Sequence, residues 1–535
     1  MNDALIDKNR LEGISSLIFL VSCLVFRIRI GNIGIGYLLT CFMFYETMWV
    51  IFGDRISDVV GKILRSKLSK NKFKSAGLVW RYSFSMDFFT GILIFLIMGL
   101  AGSYMIKDVF KAGHGFMLIW IFAGLLFLRL MSETIGGFLC SRKSYVSTFG
   151  VSYIIRQIGI LVFGNIAVSL ISSYGEKVSL LLKQDDISAL YSCFAISLSA
   201  LLTEMIVFIF LLVMKLASKQ KNSDFDEDLF QRRDNTGNVF VMVWKRRIFE
   251  VISQILVILP FAFGIFLVYF KSEDQYQALS GLGLLCVTVI IPGLIFAYFG
   301  QLMLMPLVFE TTSNIRQNKM RPARNIFQTG FHMCFIYGSF GCMYLIAEGK
   351  ILSLLFSESA EESILKFIVF GALISVLIVP SLYIQKLLIH NGYILYAYLV
   401  QIPSDIIFII TVNIMTKRSG DVVFSFAVSL FITFICKFIG YLVLALIKLD
   451  MSIDPVSNVL VPVLVAAVVC VLNVFISQMI SPHLGNIFTL IISLVEMVVF
   501  YVIILLLGRN FKENELKYLP GGRFINSLGQ TLHVL

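Results

Sequence analysis

Twelve ionisable residues lie inside long apolar stretches of this chain: Arg27, Arg29, Glu46, Asp87, Arg129, Glu133, Arg156, Glu204, Lys366, Asp405, Lys437 and Glu496. An ionisable group in such a stretch costs about 2.5–3.5 kcal/mol on insertion scales, so each needs a reason. Arg27, Arg29 and Arg156 are candidate anion ligands, because a guanidinium fork matches the oxygens of a phosphate-type group bidentately. The alternative for Arg27 and Arg29 is that they snorkel to a nearby interface. Glu46 and Asp87 are candidates to relay protons, or to hold these arginines when the anion is absent. Arg129 and Glu133 are spaced i,i+4 and are expected to pair on one helix. Glu204, Asp405 and Glu496 either pair with a neighbouring helix or sit near an interface. Lys366 is close enough to a segment end to snorkel.

Other chemistries find little support. The nine cysteines are scattered through apolar runs without C-x-x-C spacing, and read as small apolar residues. The five histidines form no H-E-x-x-H or Cys/His cluster, so neither a structural nor a catalytic metal is expected, and no cofactor is called for.

The elements that must position these charges are membrane helices. Hydrophobic residues make up 58% and charged residues 14%, against roughly 25% charged in a soluble domain. Mean hydropathy is +0.88. Apolar runs of about 18 or more residues recur along the whole length, each long enough to cross a hydrocarbon core of roughly 30 Å. Backbone groups in lipid must be satisfied internally, which selects helices, and the alternation of a barrel strand is not seen. The spacing predicts about fourteen spans, at 12–30, 33–53, 82–106, 116–139, 146–171, 188–214, 248–270, 278–303, 327–347, 363–384, 393–415, 422–446, 456–479 and 485–508. No A-x-A-like site follows the first apolar run, so it reads as a retained helix.

Charge orients the chain. With the N-terminus inside, about 30 of the 44 Lys+Arg fall on the inner side and about 10 on the outer. Both termini are then cytoplasmic and the protein is multi-pass in the cell membrane. The net charge of +11 is topological. Basic clusters flank apolar spans, as attraction to anionic lipid headgroups requires, and nucleic acid is not an expected partner.

An internal repeat runs at an offset of about 247 residues. Phe52-Gly53 returns as Phe299-Gly300. Lys72-Phe73-Lys74-Ser75-Ala76 returns as Lys319-Met320-Arg321-Pro322-Ala323. Trp80 and Phe84 return as Phe327 and Phe331. The repeat divides the chain into a six-helix lobe over 1–214, a cytoplasmic linker over 215–247, a second six-helix lobe over 248–446, and two further helices with a tail over 447–535. Pro260, Pro292, Pro380 and Pro403 fall in second-lobe spans, where each removes a backbone hydrogen bond and kinks the helix, for hinging or for packing.

The segment Arg27-Ile28-Arg29-Ile30-Gly31-Asn32-Ile33-Gly34-Ile35-Gly36-Tyr37 with the linker 54–81, the run Pro306 to Phe331, and Ile351-Leu352-Ser353-Leu354-Leu355-Phe356 with the helix after it are together similar to one family. They resemble the polysaccharide-transporter and stage V sporulation protein B branch of the multidrug/oligosaccharidyl-lipid/polysaccharide (MOP) flippase superfamily. The order six plus six plus two matches its fourteen-span members. Asp54-Arg55 after Gly53 departs from the small or apolar residue usual there.

The resemblance implies two lobes around a cavity that opens alternately to the two sides. It implies export of a lipid-linked glycan of the undecaprenyl-pyrophosphate type. Arg27, Arg29 and Arg156 are then expected to hold the pyrophosphate, with Glu46 and Asp87 beside them. The expected partners are this carrier, membrane lipids and the glycan-synthesis enzymes, and the chain is expected to act as a monomer. Two other functions compete. A drug or cation antiporter of the same fold needs a cavity carboxylate and little fixed positive charge, and span one has two arginines and no acid. A membrane polysaccharide polymerase or ligase needs a sizeable outer loop or a clustered catalytic site. The longest outer loop here is about 172–187, and no nucleophile–base pair stands out.

Overall fold

The computed structural model describes residues 2–53, 56–70, 72–142, 145–184, 186–219, 237–272, 274–356, 362–511, 513–516 and 522–531. Every regular element among them is a helix. Among the described residues, twelve helices are long and apolar enough to cross a membrane. The first of them, Arg10–Leu68, holds both of the first two predicted spans, and the shorter apolar helix Ile258–Lys271 covers the seventh. The protein is an all-α, multi-pass membrane protein.

The first unit contains α1 (Asn2–Phe52), α2 (Ile56–Leu68), α3 (Phe73–Ile97), α4 (Phe116–Cys140), α5 (Val146–Leu182), α6 (Asp186–Lys219) and α7 (Gly237–Lys271), and most of α8 (Gln275–Leu285). α1 is two spans joined at Gly31, whose φ of 68° and ψ of −175° interrupt the helix. No L side chain adopts that conformation readily, so the break falls at a glycine. α2 lays Ile56, Val59, Val60, Ile63 and Leu64 on α3 and α4 and turns Lys62 outward. Its crossing with α4 is close because Gly61 lies against Gly137: a Cβ at either position would meet backbone at 3.1 Å. The buried Lys8 ammonium meets Asp58 at 2.6 Å and ties α1 to α2. Burial opposes the charge on Lys8, but Asp58 outweighs it and holds the pKa above its ordinary value.

The second unit holds α9 (Ile291–Arg316), α10 (Met320–Ala347), α11 (Gly349–Phe356), α12 (Glu362–His390), α13 (Ile394–Ser419), α14 (Val422–Lys448), α15 (Val461–Leu484), α16 (Asn486–Leu507), α17 (Glu513–Leu516) and α18 (Gly522–Thr531). The two compact units divide at Gly283–Leu284. That is later than the boundary read from the repeat, because α7 packs against α1 and α2 and α8 lies against α1. The polar runs Asn222–Asp228 and Arg232–Asn235 of the expected linker lie outside the described residues, as do Asp54 and Arg55.

Two prolines show how the chain accommodates a lost donor. Pro292 and Pro462 stand in the first turn of α9 and α15, and each follows a π-helical turn, Cys286–Ile290 and Val456–Leu460. A proline cannot donate to the carbonyl four residues back, and its ring crowds that carbonyl. The preceding turn widens to relieve both.

The linker of the repeat returns with the same backbone. Lys72, before α3, has φ −93° and ψ 63°. Lys319, before α10 and 247 positions later, has φ −91° and ψ 74°. In each unit, arginines cap helix C-termini. Arg65 donates to the Cys140 carbonyl at the end of α4, and Arg142 to the Ser218 carbonyl near the end of α6. Arg316 donates to the His390 carbonyl at the end of α12, and Arg324 to the Asp450 carbonyl beyond α14. Each joins a cation to carbonyls that the helix leaves unsatisfied.

These caps mark the basic face of the chain. A membrane-impermeant thiol reagent on intact cells is expected to label Val178→Cys and to leave Ser69→Cys unlabelled until the membrane is opened. The reverse pattern would invert the assigned orientation.

Candidate functional site: a charged interior and a sealed end in the first unit

α4 brings most of the interior charge together. Its segment Met131–Gly137 is wholly buried, so its polar side chains must find partners within the protein. Arg129 donates from Nη1 to the Tyr45 hydroxyl at 2.7 Å, and its guanidinium lies 4.2 Å from the Trp49 ring centroid. Its Nε has no hydrogen-bond partner. Glu46, one residue from Tyr45, acts on Arg129 electrostatically, as do Glu133 and Glu204. The expected Arg129–Glu133 pair is not formed. Glu133 instead accepts from the Tyr153 hydroxyl at 3.3 Å, because the aromatic pocket of Tyr45 and Trp49 draws the arginine away. Asp87 is buried and accepts from the Thr134 hydroxyl at 2.7 Å.

Arg156 on α5 meets Glu204 on α6 through a two-pronged ion pair, Nε to Oε2 and Nη2 to Oε1, the second at 2.9 Å. Both side chains are sealed from solvent, at 4% and 1% exposed. The helices approach closely beside the pair, since a Cβ at Gly159 would lie 2.4 Å from Thr203. Arg156 therefore stands with its fork occupied. Arg27 and Arg29 are not among its partners. Phe26 lies beside Gly164, eight residues beyond Arg156 on α5 and about 12 Å further along that helix. Arg27 is half-buried and donates to Asn32 Oδ1 at 3.1 Å across the Gly31 break, whereas Arg29 is exposed. The three predicted cations thus occupy two levels.

The second level holds a close helix–helix contact that the residue types alone do not single out. Gly36 of α1 faces the Leu279 carbonyl of α8, where a Cβ would lie 2.1 Å from the oxygen. Gly283 faces the Asn32 carbonyl, at 1.9 Å from a built Cβ. The two helices touch backbone to backbone. Around this contact Asp186, buried in the first turn of α6, accepts from the Tyr37 hydroxyl at 3.1 Å and the Tyr276 hydroxyl at 3.4 Å. Tyr269 of α7 bonds to Thr40 at 2.9 Å and stacks on Phe110 with ring centroids 4.4 Å apart. The glycine run Gly31, Gly34, Gly36 was the visible signal. Asp186 gave none, because an acid opening a helix is ordinary.

The second unit has its own buried pair. Lys437 on α14 lies 3.2 Å from Asp405 on α13, Gln401 donates to Asp405 at 3.3 Å, and Tyr441 donates to Gln401 at 3.0 Å. All nine cysteines are free thiols. Among the described residues no three His, Cys, Asp or Glu side chains group as a metal site.

No protein-family model matches the sequence, and no curated protein matches it. The fold has clear relatives among solved structures. One is a multidrug resistance MATE family transporter of the MOP superfamily in an inward-facing conformation, at TM-score 0.61 and 11% identity, covering 82% of this chain and 96% of that one. Another is the lipid II flippase MurJ in an inward closed conformation, at 0.58 and 12%, covering 92% and 97%. A third is the eukaryotic MATE transporter AtDTX14, at 0.53 and 11%, covering 83% and 96%. The fold is that of MOP-superfamily transporters, and these neighbours are transporters and a flippase, not enzymes.

Breaking a buried ion pair leaves an uncompensated charge and costs about 3–5 kcal/mol, whereas replacing both partners with apolar groups costs far less. Arg156→Met and Glu204→Met are each expected to lose about that much in detergent thermal unfolding, and the double variant to recover most of it. A second expectation concerns the close contact. Gly283→Val has no room for its side chain, so alkylation of the buried Cys41 and Cys193 should become markedly faster. Unchanged rates would mean that the contact does not seal this end.

Proposed function

We propose that this protein translocates a lipid-linked oligosaccharide or polysaccharide precursor across the cell membrane by alternating access. The observation that carries this reading is the extent of the fold match. The lipid II flippase aligns over 92% of this chain, and the MATE structures over 81–83%. The difference, a tenth of the chain, is about the length of the α15–α16 pair, Val461–Leu507.

Fixed positive charge supports an anionic headgroup. Arg27 and Arg29 stand at the end of the first span, and Arg129 keeps an unbonded Nε inside an aromatic pocket. Capture by Arg156 would first have to displace Glu204. The carrier would be of the undecaprenyl-pyrophosphate type, since a pyrophosphate offers the forked oxygens that arginine matches. Membrane lipids surround the protein and glycan-synthesis enzymes supply its substrate.

A second reading, a drug or cation antiporter, has its own support. Glu46, Asp87, Glu133 and Glu204 outnumber Arg129 and Arg156 in the interior of the first unit. The two readings separate in proteoliposomes. Purified protein should expose a lipid-linked glycan to an external glycosidase, and Arg27→Ala or Arg129→Ala should slow this about tenfold or more, as expected for loss of a charge-assisted contact. Lys at either position should restore part of the rate. Uptake of a cationic dye with no glycan translocation would overturn the flippase reading in favour of the antiporter.

A further inference from the structure

The outermost turn of α10 carries an acid that neither the transport reading nor the interior charges explain. Glu348 separates α10 from α11. Its backbone N–H closes on the Tyr344 carbonyl at 3.0 Å, and its carbonyl accepts from Leu352 at 2.8 Å. Its side chain is fully buried. No Lys, Arg or His pairs with it: the nearest cation in sequence, Lys350 of α11, is exposed. Asn473 of α15, 1% exposed, donates from Nδ2 to Glu348 Oε1 at 2.8 Å. That leaves two buried acceptors on the same two residues with nothing to accept, Glu348 Oε2 and Asn473 Oδ1. The Ser477 and Ser493 hydroxyls lie close enough to act on the Glu348 carboxyl, though their hydrogen bonds run to the Val474 and Leu490 carbonyls of their own helices, and Tyr344 donates to Leu490 as well.

A buried carboxylate with an unpaired oxygen and no counter-charge, bonded to an amide whose own oxygen is unpaired, is costly in a low dielectric. One proton removes both faults. Placed on Oε2, it makes the carboxyl neutral and supplies the donor that Asn473 Oδ1 lacks. The acid and the amide then close a ring of two hydrogen bonds.

We infer that Glu348 is a proton-binding site, closed with Asn473 when occupied, that fastens the α10–α11 junction to α15. This goes beyond the translocation reading and does not depend on it. The other titratable groups around Glu348 are Tyr344 of α10, Cys470 of α15 and Glu496 of α16. None carries positive charge, so none competes to neutralise the carboxylate. When the proton leaves, the ring opens and the junction loosens.

The test uses the full-length protein in detergent. Glu348→Gln has the donor and acceptor of the neutral acid in the same shape, so it should unfold at the wild-type temperature or above. It should also abolish a protonated-carboxyl band in the infrared spectrum. Wild type should lose Tm between about pH 5 and about pH 9 in excess of any loss in Glu348→Gln. Asn473→Leu should unfold about 2–4 °C lower. Three results would overturn the inference: a Glu348→Gln variant several degrees less stable than wild type, no infrared band assignable to Glu348 at acid pH, or stabilisation by sodium over potassium that Glu348→Gln removes. The last would make the site a metal site.

Discussion

Lipid and a dry protein interior share one constraint: a charge or backbone dipole that leaves water must meet a partner inside the protein. Most of what holds this structure together answers it. Arg156 and Glu204 pin α5 to α6, and Lys437 and Asp405 pin α13 to α14. Helix ends obey the same rule. Arg65, Arg142, Arg316 and Arg324 reach carbonyls that the ends of four helices leave open. Cations are favoured at the negative ends of helices, so these four arginines satisfy open carbonyls and complement the helix dipoles at once.

The two pinned pairs bear on the repeat. In each unit the pair joins the helix that follows the first arginine-capped helix end, α4 or α12, to its successor, and the signs are exchanged. Arginine is on α5 and glutamate on α6, whereas aspartate is on α13 and lysine on α14. Either polarity satisfies the constraint, so the geometry can persist while the residue types reverse. Sequence comparison at a fixed offset is blind to such an exchange. It sees the linker, where Lys72 and Lys319 keep both identity and backbone conformation.

Legibility in the sequence followed from how local each signal was. Spans were readable because twenty apolar residues in succession carry their own evidence, and the division between 12–30 and 33–53 falls at Gly31, where the helix breaks. Prolines were readable as disruptions. Their consequence, a widened π turn before Pro292 and Pro462, was not, since it depends on what the preceding turn can yield. Partners were the least readable. An i,i+4 spacing made Arg129 and Glu133 look like a pair, but Tyr45, Trp49 and Tyr153 come from other helices and won both residues. The close contact was hidden for the same reason. A tyrosine in an apolar run and an aspartate opening a helix are unremarkable singly, and only the fold brings Tyr37, Tyr276 and Asp186 into contact.

The interior of the first unit is therefore not a uniform cationic pocket. Its arginines are each engaged to a different degree. Arg156 is held by a carboxylate through both prongs of its fork, Arg129 by one hydroxyl and two aromatic faces, and Arg27 has the Asn32 amide oxygen among its contacts. A guanidinium already paired with a carboxylate must lose that partner before it can gain another, so Arg156 is costly to re-engage. The saturated pair deeper in would act as a fixed strut. Two helices that meet without side chains between them, as α1 and α8 do at Gly36 and Gly283, can part without repacking a core.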